Sequence, residues 1–139
     1  ATITAANTNI NAYPWSVSGF GTKFSNPATA INGNAFGLAF STTSTEIVAT
    51  YRYTPYTYAY SFSSSGFGTK LTDPTLSNFL NTNAMVMNGN KLFYGIAASP
   101  FIQGITWSSS GYGTAIASPS TPLSNAISAS VKHTIKFST

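Results

Sequence analysis

Hydrophobic and aromatic residues in this sequence fall in short runs that are bounded by Ser, Asn, Gly and Pro. Residues 47–53 and 91–97 are rich in β-branched and aromatic side chains, and residues 57–62 and 101–107 follow them after a proline-containing turn. Runs of this length and composition predict β-strands. No stretch has the period of an amphipathic helix, so the sequence predicts an all-β protein.

Two tight turns are predicted between neighbouring strands. Asn88-Gly89 separates residues 84–87 from residues 91–94, and this dipeptide favours the positive φ angles of a short hairpin. Residues 43–45, Thr-Ser-Thr, are expected to form the same turn one repeat earlier. Each repeat is therefore predicted to contain three to four antiparallel strands.

A 13-residue motif occurs three times along the chain. It reads WSVSGFGTKFSNP at 15–27, FSSSGFGTKLTDP at 62–74 and WSSSGYGTAIASP at 107–119, so the copies are separated by 47 and 45 residues. Periods between about 20 and 50 residues indicate solenoids, propellers or other pseudo-symmetric arrays. We therefore predict a single domain, 1–139, of three repeats at approximately 1–47, 48–93 and 94–139.

Two glycines flank an aromatic residue in every copy of the motif. We expect this element to be a structural corner, because glycine adopts backbone angles that are closed to other residues. The aromatic residue between them, Phe20, Phe67 or Tyr112, is expected to fill the core between strands. The predicted corner glycines are Gly19, Gly21, Gly66, Gly68, Gly111 and Gly113.

The two ends of the sequence fall at nearly the same phase of the repeat, within a predicted strand. Residues 132–139 and 1–6 are expected to form together the strand that is continuous elsewhere. This strand would be completed either within one molecule or between subunits. The second alternative, which we favour, predicts a homo-oligomer or homopolymer held by terminal strand pairing.

The order of motifs in residues 35–75 is similar to that of a known repeat family. Ala39-Phe40-Ser41, Thr54-Pro55-Tyr56, Tyr60-Ser61-Phe62 and the Gly-Phe-Gly-Thr-Lys segment at 66–70 resemble WD40-like β-propeller repeats of phage and environmental bacterial proteins. The Gly-His and Trp-Asp signatures of WD40 repeats are absent, and the motif lysine is replaced by Ala115 in the third repeat. The resemblance implies a blade-like sheet of four strands and implies no chemistry.

Three repeats do not close a propeller, which needs about four to eight blades. Two chains would make a six-bladed ring, or subunits would exchange terminal strands along a fibre. The alternative architecture is a β-trefoil or β-prism with pseudo-three-fold symmetry, which suits this length and often serves as a lectin.

Composition narrows the classes of function. Charged residues make up only 6% of the 139 residues, and the six cations behind the net charge of +4 are scattered rather than clustered, which argues against nucleic-acid binding. Eighteen Phe and Tyr residues supply enough apolar surface for a folded core. There is no cysteine, and no apolar run approaches the roughly 20 residues that span a bilayer.

Few side chains are available for catalysis. Glu46 and Asp73 are the only carboxylates of the sequence, and His133 is its only histidine. Neither a glycosidase pair, a Ser-His-Asp arrangement nor a His-rich metal site is convincing with this set, and Asp73 is expected to cap the turn before Pro74. We therefore predict no enzyme activity, no cofactor and no metal site.

Two groups of aromatic residues are candidate binding or interface surfaces. The first comprises Tyr51, Arg52, Tyr53, Tyr56 and Tyr58, in which strand alternation would place Tyr51 and Tyr53 on one face and Arg52 on the other. The second occupies one repeat position, where the aromatic rings would either stack on sugars or form the core of each repeat. Its members are Trp15, Phe62 and Trp107.

These observations favour a non-enzymatic structural protein that self-assembles at an extracellular or virion surface, as a fibre, tail or decoration subunit. The alternative is a carbohydrate-binding module that recognises surface glycans at up to three equivalent sites.

Overall fold

The computed structural model describes residues 2–4, 9–29, 31, 35–51, 53–74, 82, 84–96 and 99–121. These residues contain strands and connecting turns and no helix, which confirms the predicted all-β fold. The strands are β1 (Thr2–Thr4), β2 (Asn9–Asn11), β3 (Trp15–Ser16), β4 (Gly19–Phe20), β5 (Ala35–Phe40), β6 (Glu46–Tyr51), β7 (Thr57–Ser63), β8 (Gly66–Lys70), β9 (Ala84–Asn88), β10 (Lys91–Gly95), β11 (Ile102–Ser108) and β12 (Gly111–Ile116).

Eight of these strands form two four-stranded antiparallel sheets with the same topology. One sheet has the order β5-β6-β7-β8 and the other the order β9-β10-β11-β12, so that each strand pairs with its neighbour in sequence. Strands β1 and β2 form a two-stranded sheet, as do β3 and β4. The strand order in the larger sheets is that of a propeller blade, while arrangement of such sheets in a ring stays a prediction.

Strand registers repeat along the chain with the spacing of the motif. The pair Thr2–Asn11 in β1–β2 becomes Ala49–Tyr58 in β6–β7 after a shift of 47 residues, and Tyr94–Gln103 in β10–β11 after a further 45. The motif hairpins are likewise equivalent. Their closing pairs are Ser16–Gly19, Ser63–Gly66 and Ser108–Gly111.

The difference between the two spacings lies in one turn. Phe40 pairs with Ile47 across β5 and β6, whereas Met87 pairs with Leu92 across β9 and β10, so the first connection is two residues longer. The repeat therefore varies in length at a surface turn while the paired strands keep their register.

Both predicted hairpin turns lie where the sequence placed them, with a shift of one residue in the second. Ser44 has a φ of 57° and Gly89 a φ of 56°, which is the left-handed conformation expected of such turns. Asn88 pairs with Lys91, so the two-residue loop consists of Gly89 and Asn90 rather than Asn88 and Gly89.

Two predicted strands end earlier than the sequence suggested. The prediction of a strand over 47–53 is wrong at its end, because β6 stops at Tyr51 and the chain turns back at once. Two backbone hydrogen bonds close this turn, from the Tyr51 amide to the Tyr56 carbonyl and from the Tyr56 amide to the Tyr53 carbonyl, both 2.7 Å. The corresponding bond in the next repeat joins Ile96 and Phe101, so β10 ends at Gly95.

The hydrophobic core lies between consecutive repeats. One cluster joins Val48 and Ala59 of the second repeat to residues of the third such as Tyr94 and Ile105, and the other joins Ile10 of the first repeat to residues of the second, including Ala49 and Tyr60. All six residues of β6 are buried. Because successive side chains of a strand point to opposite faces, the sheet that contains β6 is covered on both sides.

Candidate functional site

Each motif forms a tight hairpin, and the structure shows why two glycines are needed. The first glycine of each copy has a positive φ, +102° at Gly19, +98° at Gly66 and +103° at Gly111. The second glycine faces a cross-strand side chain, so that a Cβ on Gly68 would overlap Ser61 Oγ and one on Gly21 would lie 2.8 Å from Pro14 Cγ. These hairpins are called below the first (15–20), second (62–67) and third (107–112) hairpins.

The same hairpin position has different environments in the three repeats. The Trp107 side chain is 6% exposed and Phe62 is partly buried, whereas Trp15 is 70% exposed. Phe20, the residue expected to fill the core, is 74% exposed. That prediction is wrong for Phe20, although Phe67 and Tyr112 at the equivalent position do pack against the two core clusters.

The burial of the second and third hairpins comes from the repeat that precedes each of them. Phe24 follows the first hairpin and lies against the second, where a Cβ on Gly66 would be 2.8 Å from the Phe24 ring and the Phe24 and Phe62 centroids are 5.9 Å apart. Leu71 occupies the same position against Gly111, 3.3 Å from a Cβ placed there. We call each of these contacts a repeat junction.

The junction between the second and third repeats contains a side-chain hydrogen bond as well. The hydroxyls of Thr57 and Tyr112 are 2.5 Å apart, and Thr72 forms an isolated parallel bridge with Gly111. Burial raises the pKa of the Tyr112 hydroxyl well above its usual range, so it stays protonated and able to donate. The segment after one hairpin thus packs on the next hairpin by apolar contact and backbone pairing, and Thr57 of β7 adds a hydrogen bond.

The first hairpin carries an exposed aromatic cluster at the place where a junction forms in the later repeats. The Trp15 and Phe20 rings meet edge to face with centroids 4.8 Å apart, and Tyr13 lies 6.1 Å from Phe20 in the same geometry. Val17 at the hairpin tip is fully exposed. Beyond its chain neighbours, Gly19 has no atom of the described residues within 4 Å of the Cβ position. These side chains form an exposed apolar patch on the described part of the chain.

The tyrosine tract does not form one continuous surface. Tyr51 is 1% exposed and Tyr53 is 60% exposed, so the two do not share a face as predicted, because the strand ends between them. Tyr56 and Tyr58 are partly buried, and Arg52 lies outside the described residues. Burial, together with the neighbouring Tyr60, raises the pKa of Tyr51 well above the usual tyrosine range.

The motif lysine is explained by its contacts. Lys70 Nζ forms an ion pair with Asp73 at 2.5 Å and lies 5.1 Å from the centroid of the Tyr58 ring. Lys23 makes the equivalent bond, 2.9 Å, to Asn26. In the third repeat both partners are replaced, by Ala115 and Ser118. The expected capping of the turn before Pro74 by Asp73 stays a prediction.

A polar groove lies between the turn that follows β5 and the third hairpin. Its volume is about 420 Å³. Glu46 at its edge is 6% exposed and accepts a hydrogen bond of 2.9 Å from Thr45 Oγ1, while the wall contains Trp107. The other lining residues are Ser41, Thr42, Thr43, Gly89, Asn90, Ser108 and Ser109.

The described part of the chain offers no assembled metal site, since no three His, Asp or Glu side chains there are close enough to share an ion. Within the same residues, no helix is long and apolar enough to cross a membrane. His133 lies outside them, as do the terminal residues 132–139 that were expected to pair with the start of the chain.

Comparison of the chain with models of protein families, with curated proteins and with solved structures gives no match.

Proposed function

We propose that this chain is a non-enzymatic structural protein whose copies associate through the packing that joins its own repeats. The observation that carries the proposal is the contrast between Trp15, 70% exposed, and Trp107, 6% exposed, at one position of the repeat. The protein thus contains the covered form of this surface and an uncovered copy of it. One molecule would cover the exposed aromatic residues of a second molecule by the same packing that joins consecutive repeats within a chain.

The surface chemistry supports this role. With charged residues at only 6%, little electrostatic repulsion opposes contact between copies. Repeats that pack only on their neighbours are suited to rings or fibres. The resemblance to phage repeat proteins is what supports an extracellular or virion surface as the place of assembly, with the chain as a fibre, tail or decoration subunit.

The test is the mass of the purified chain in solution, measured by light scattering over a range of concentrations. We expect multiples of the 14.6 kDa chain mass that grow with concentration. The double variant Trp15→Ser, Phe20→Ser removes apolar surface from exposed positions and is expected to remain monomeric. A wild-type chain that stays monomeric at millimolar concentration would contradict the proposal.

Carbohydrate binding is a second candidate, and the polar groove is the observation that favours it. Hydroxyl and amide side chains beside a carboxylate, Glu46, are the groups that hydrogen-bond to sugar hydroxyls. Three equivalent stacking sites are not offered, because Phe62 is partly buried and Trp107 is 6% exposed. We expect a single site, which a glycan array would reveal and Asn90→Ala would weaken. An array that stays blank would exclude it.

A further inference from the structure

A recess on the third repeat has the lining of a repeat junction. It lies beside β11 and β12, has a volume of about 150 Å³ and is walled mainly by apolar residues, including Ile102, Gly104, Ile116 and Pro119. A shift of 45 residues along the sequence converts these four positions to Thr57, Ala59, Leu71 and Pro74. A further shift of 47 gives Ile10, Ala12, Phe24 and Pro27.

In the first two repeats, the positions equivalent to Ile102 and Gly104 are buried. Thr57 and Ala59 are both 0% exposed, and Thr57 is bonded to Tyr112 of the next hairpin. Ile10 is also 0% exposed, within the cluster against which Phe67 of the next hairpin packs. In both junctions, therefore, the aromatic residue of the following hairpin packs against the core next to the position equivalent to Ile102.

The third repeat is more open at two of the four positions, whereas Gly104 is buried and Ile116 is partly buried like Leu71. Ile102 is only partly buried, and Pro119 is exposed whereas Pro27 is buried. Ala115 replaces the lysine that bridges strand and loop in the first two repeats, so no long side chain projects from this position. The recess thus resembles the covered surface of a junction, and the exposed first hairpin resembles the surface that covers it.

The chemistry of the two halves also matches. Where the recess position is a threonine, Thr57, the aromatic residue that meets it is a tyrosine, and the two hydroxyls bond. Where the position is an isoleucine, Ile10, the aromatic residue of the next hairpin is Phe67, which has no hydroxyl. By this pattern we expect the aromatic residue that packs on Ile102 to be a phenylalanine, and the exposed first hairpin has Phe20 at that position.

We propose that the third-repeat recess receives the first hairpin of a second copy of this chain, with Phe20 of that copy over Ile102, and with Ile116 against Gly19. This inference rests on the proposed self-association and identifies the contact that makes it. The contact is head-to-tail, because it joins two different surfaces of the molecule. Copies would then close into a ring or extend as a fibre, depending on the rotation between them.

Two charged variants separate the two halves of the contact. Phe20→Asp disables the hairpin and Ile102→Asp disables the recess, and each alone is expected to weaken self-association by roughly 30-fold, as removal of an interface hot spot does. Tyr53→Asp is the matched control, since Tyr53 is an exposed aromatic residue, 60%, outside both halves. Circular dichroism checks folding, and Ala117→Lys on the exposed rim of the recess replaces Ile102→Asp if that variant does not fold.

Mixing the variants provides the decisive result. A head-to-tail contact predicts that Phe20→Asp and Ile102→Asp chains form a heterodimer and stop there, because one intact hairpin and one intact recess remain between them. A mixture that stays monomeric overturns the proposal. So does wild-type assembly that Phe20→Asp leaves unchanged, although self-association itself would then survive. A monomeric wild type would instead contradict the proposed function.

Tryptophan fluorescence gives an independent readout. The chain has two tryptophans, so the variant Trp107→Phe leaves Trp15 as the sole tryptophan. Phenylalanine is chosen because it is the natural residue at the equivalent position of the second repeat, Phe62. We expect the Trp15 emission to move to shorter wavelength as the concentration rises, because the junction removes water from its ring. Emission that does not change while the mass increases would show that the first hairpin is not in the contact.

Discussion

The paired glycines of the motif have separate physical reasons, which appear only at the scale of single residues. Gly66 and its equivalents hold a φ near +100°, where a side chain is strained. Gly68 makes room for the cross-strand side chain of Ser61 at a shift in strand register. The sequence predicted a corner from the recurrence of glycine, but it could not distinguish positive φ from steric closeness, since both favour the same residue.

Replacing Gly68 with alanine should destabilise the protein through the Ser61 hydroxyl. The added Cβ would overlap Ser61 Oγ, and we expect a loss of about 1–3 kcal/mol in the free energy of unfolding. In a Ser61→Ala background the nearest remaining atoms are 3.5 Å away, an ordinary contact, so the same change should cost less. Urea denaturation of the four chains measures the difference. Equal losses in both backgrounds would refute this explanation.

Two buried tyrosines should respond in opposite ways to loss of the hydroxyl. Tyr51 is 1% exposed, and its Oη is buried with no hydrogen-bond partner among the described residues, so Tyr51→Phe should leave stability unchanged or raise it by up to about 1 kcal/mol. Tyr112→Phe removes the bond to Thr57 and should cost about 1 kcal/mol. Denaturant midpoints compare the pair, and a Tyr51→Phe chain less stable than Tyr112→Phe would be inconsistent with these contacts.

At the scale of strands and hairpins, local patterns predicted the elements well and their environments poorly. The predicted strands over 57–62 and 101–107 correspond to β7, Thr57–Ser63, and β11, Ile102–Ser108. The strand end at 53 was misplaced because Tyr53 continues the aromatic alternation although the chain has already turned, and the end at 97 was misplaced at the equivalent turn, which the Ile96–Phe101 bond closes. Exposure could not be predicted, because identical residues such as Trp15 and Trp107 differ only in the repeat that packs against them.

Truncation of these two tryptophans should therefore have unequal effects on folding. Trp107→Ala removes a side chain from the core cluster between the second and third repeats and is expected to cost about 3–5 kcal/mol. Trp15→Ala changes an exposed residue and should remain within about 0.5 kcal/mol of wild type. Both values come from denaturation at a concentration low enough for the monomer to prevail. Similar losses at the two positions would mean that the first hairpin is also covered in the monomer.

For the molecule as a whole, buried tyrosines predict sensitivity to alkali. Burial raises the pKa of Tyr94 from 10.0 to about 12, and it raises those of Tyr51, Tyr60 and Tyr112 further. The folded state thus favours the protonated form, so this stability is complete below pH 10.0 and is lost as the pH rises from there through about 12. Thermal melts from pH 8 to 12, with absorbance at 295 nm following tyrosinate, should show unfolding and ionisation together. Ionisation of all tyrosines near pH 10 without unfolding would contradict the burial.

The sequence predicted the all-β class because its repeats, turns and aromatic strands all favour the same secondary structure. It did not predict that the two core clusters lie between repeats. Internal periodicity shows that units are alike, but the choice between a core inside each unit and a core shared by neighbours depends on which face of each sheet is covered. That distinction required the burial of β6 on both faces.

A core shared by neighbours makes stability a property of the number of units. Each internal repeat contributes two faces, so duplication of one 45-residue unit would add one complete interface without altering those already present. The free energy of unfolding should then rise in steps with each unit, as in a one-dimensional array with nearest-neighbour coupling. Chains of this type can lengthen during evolution by repetition alone, since every new unit meets a surface that already fits it.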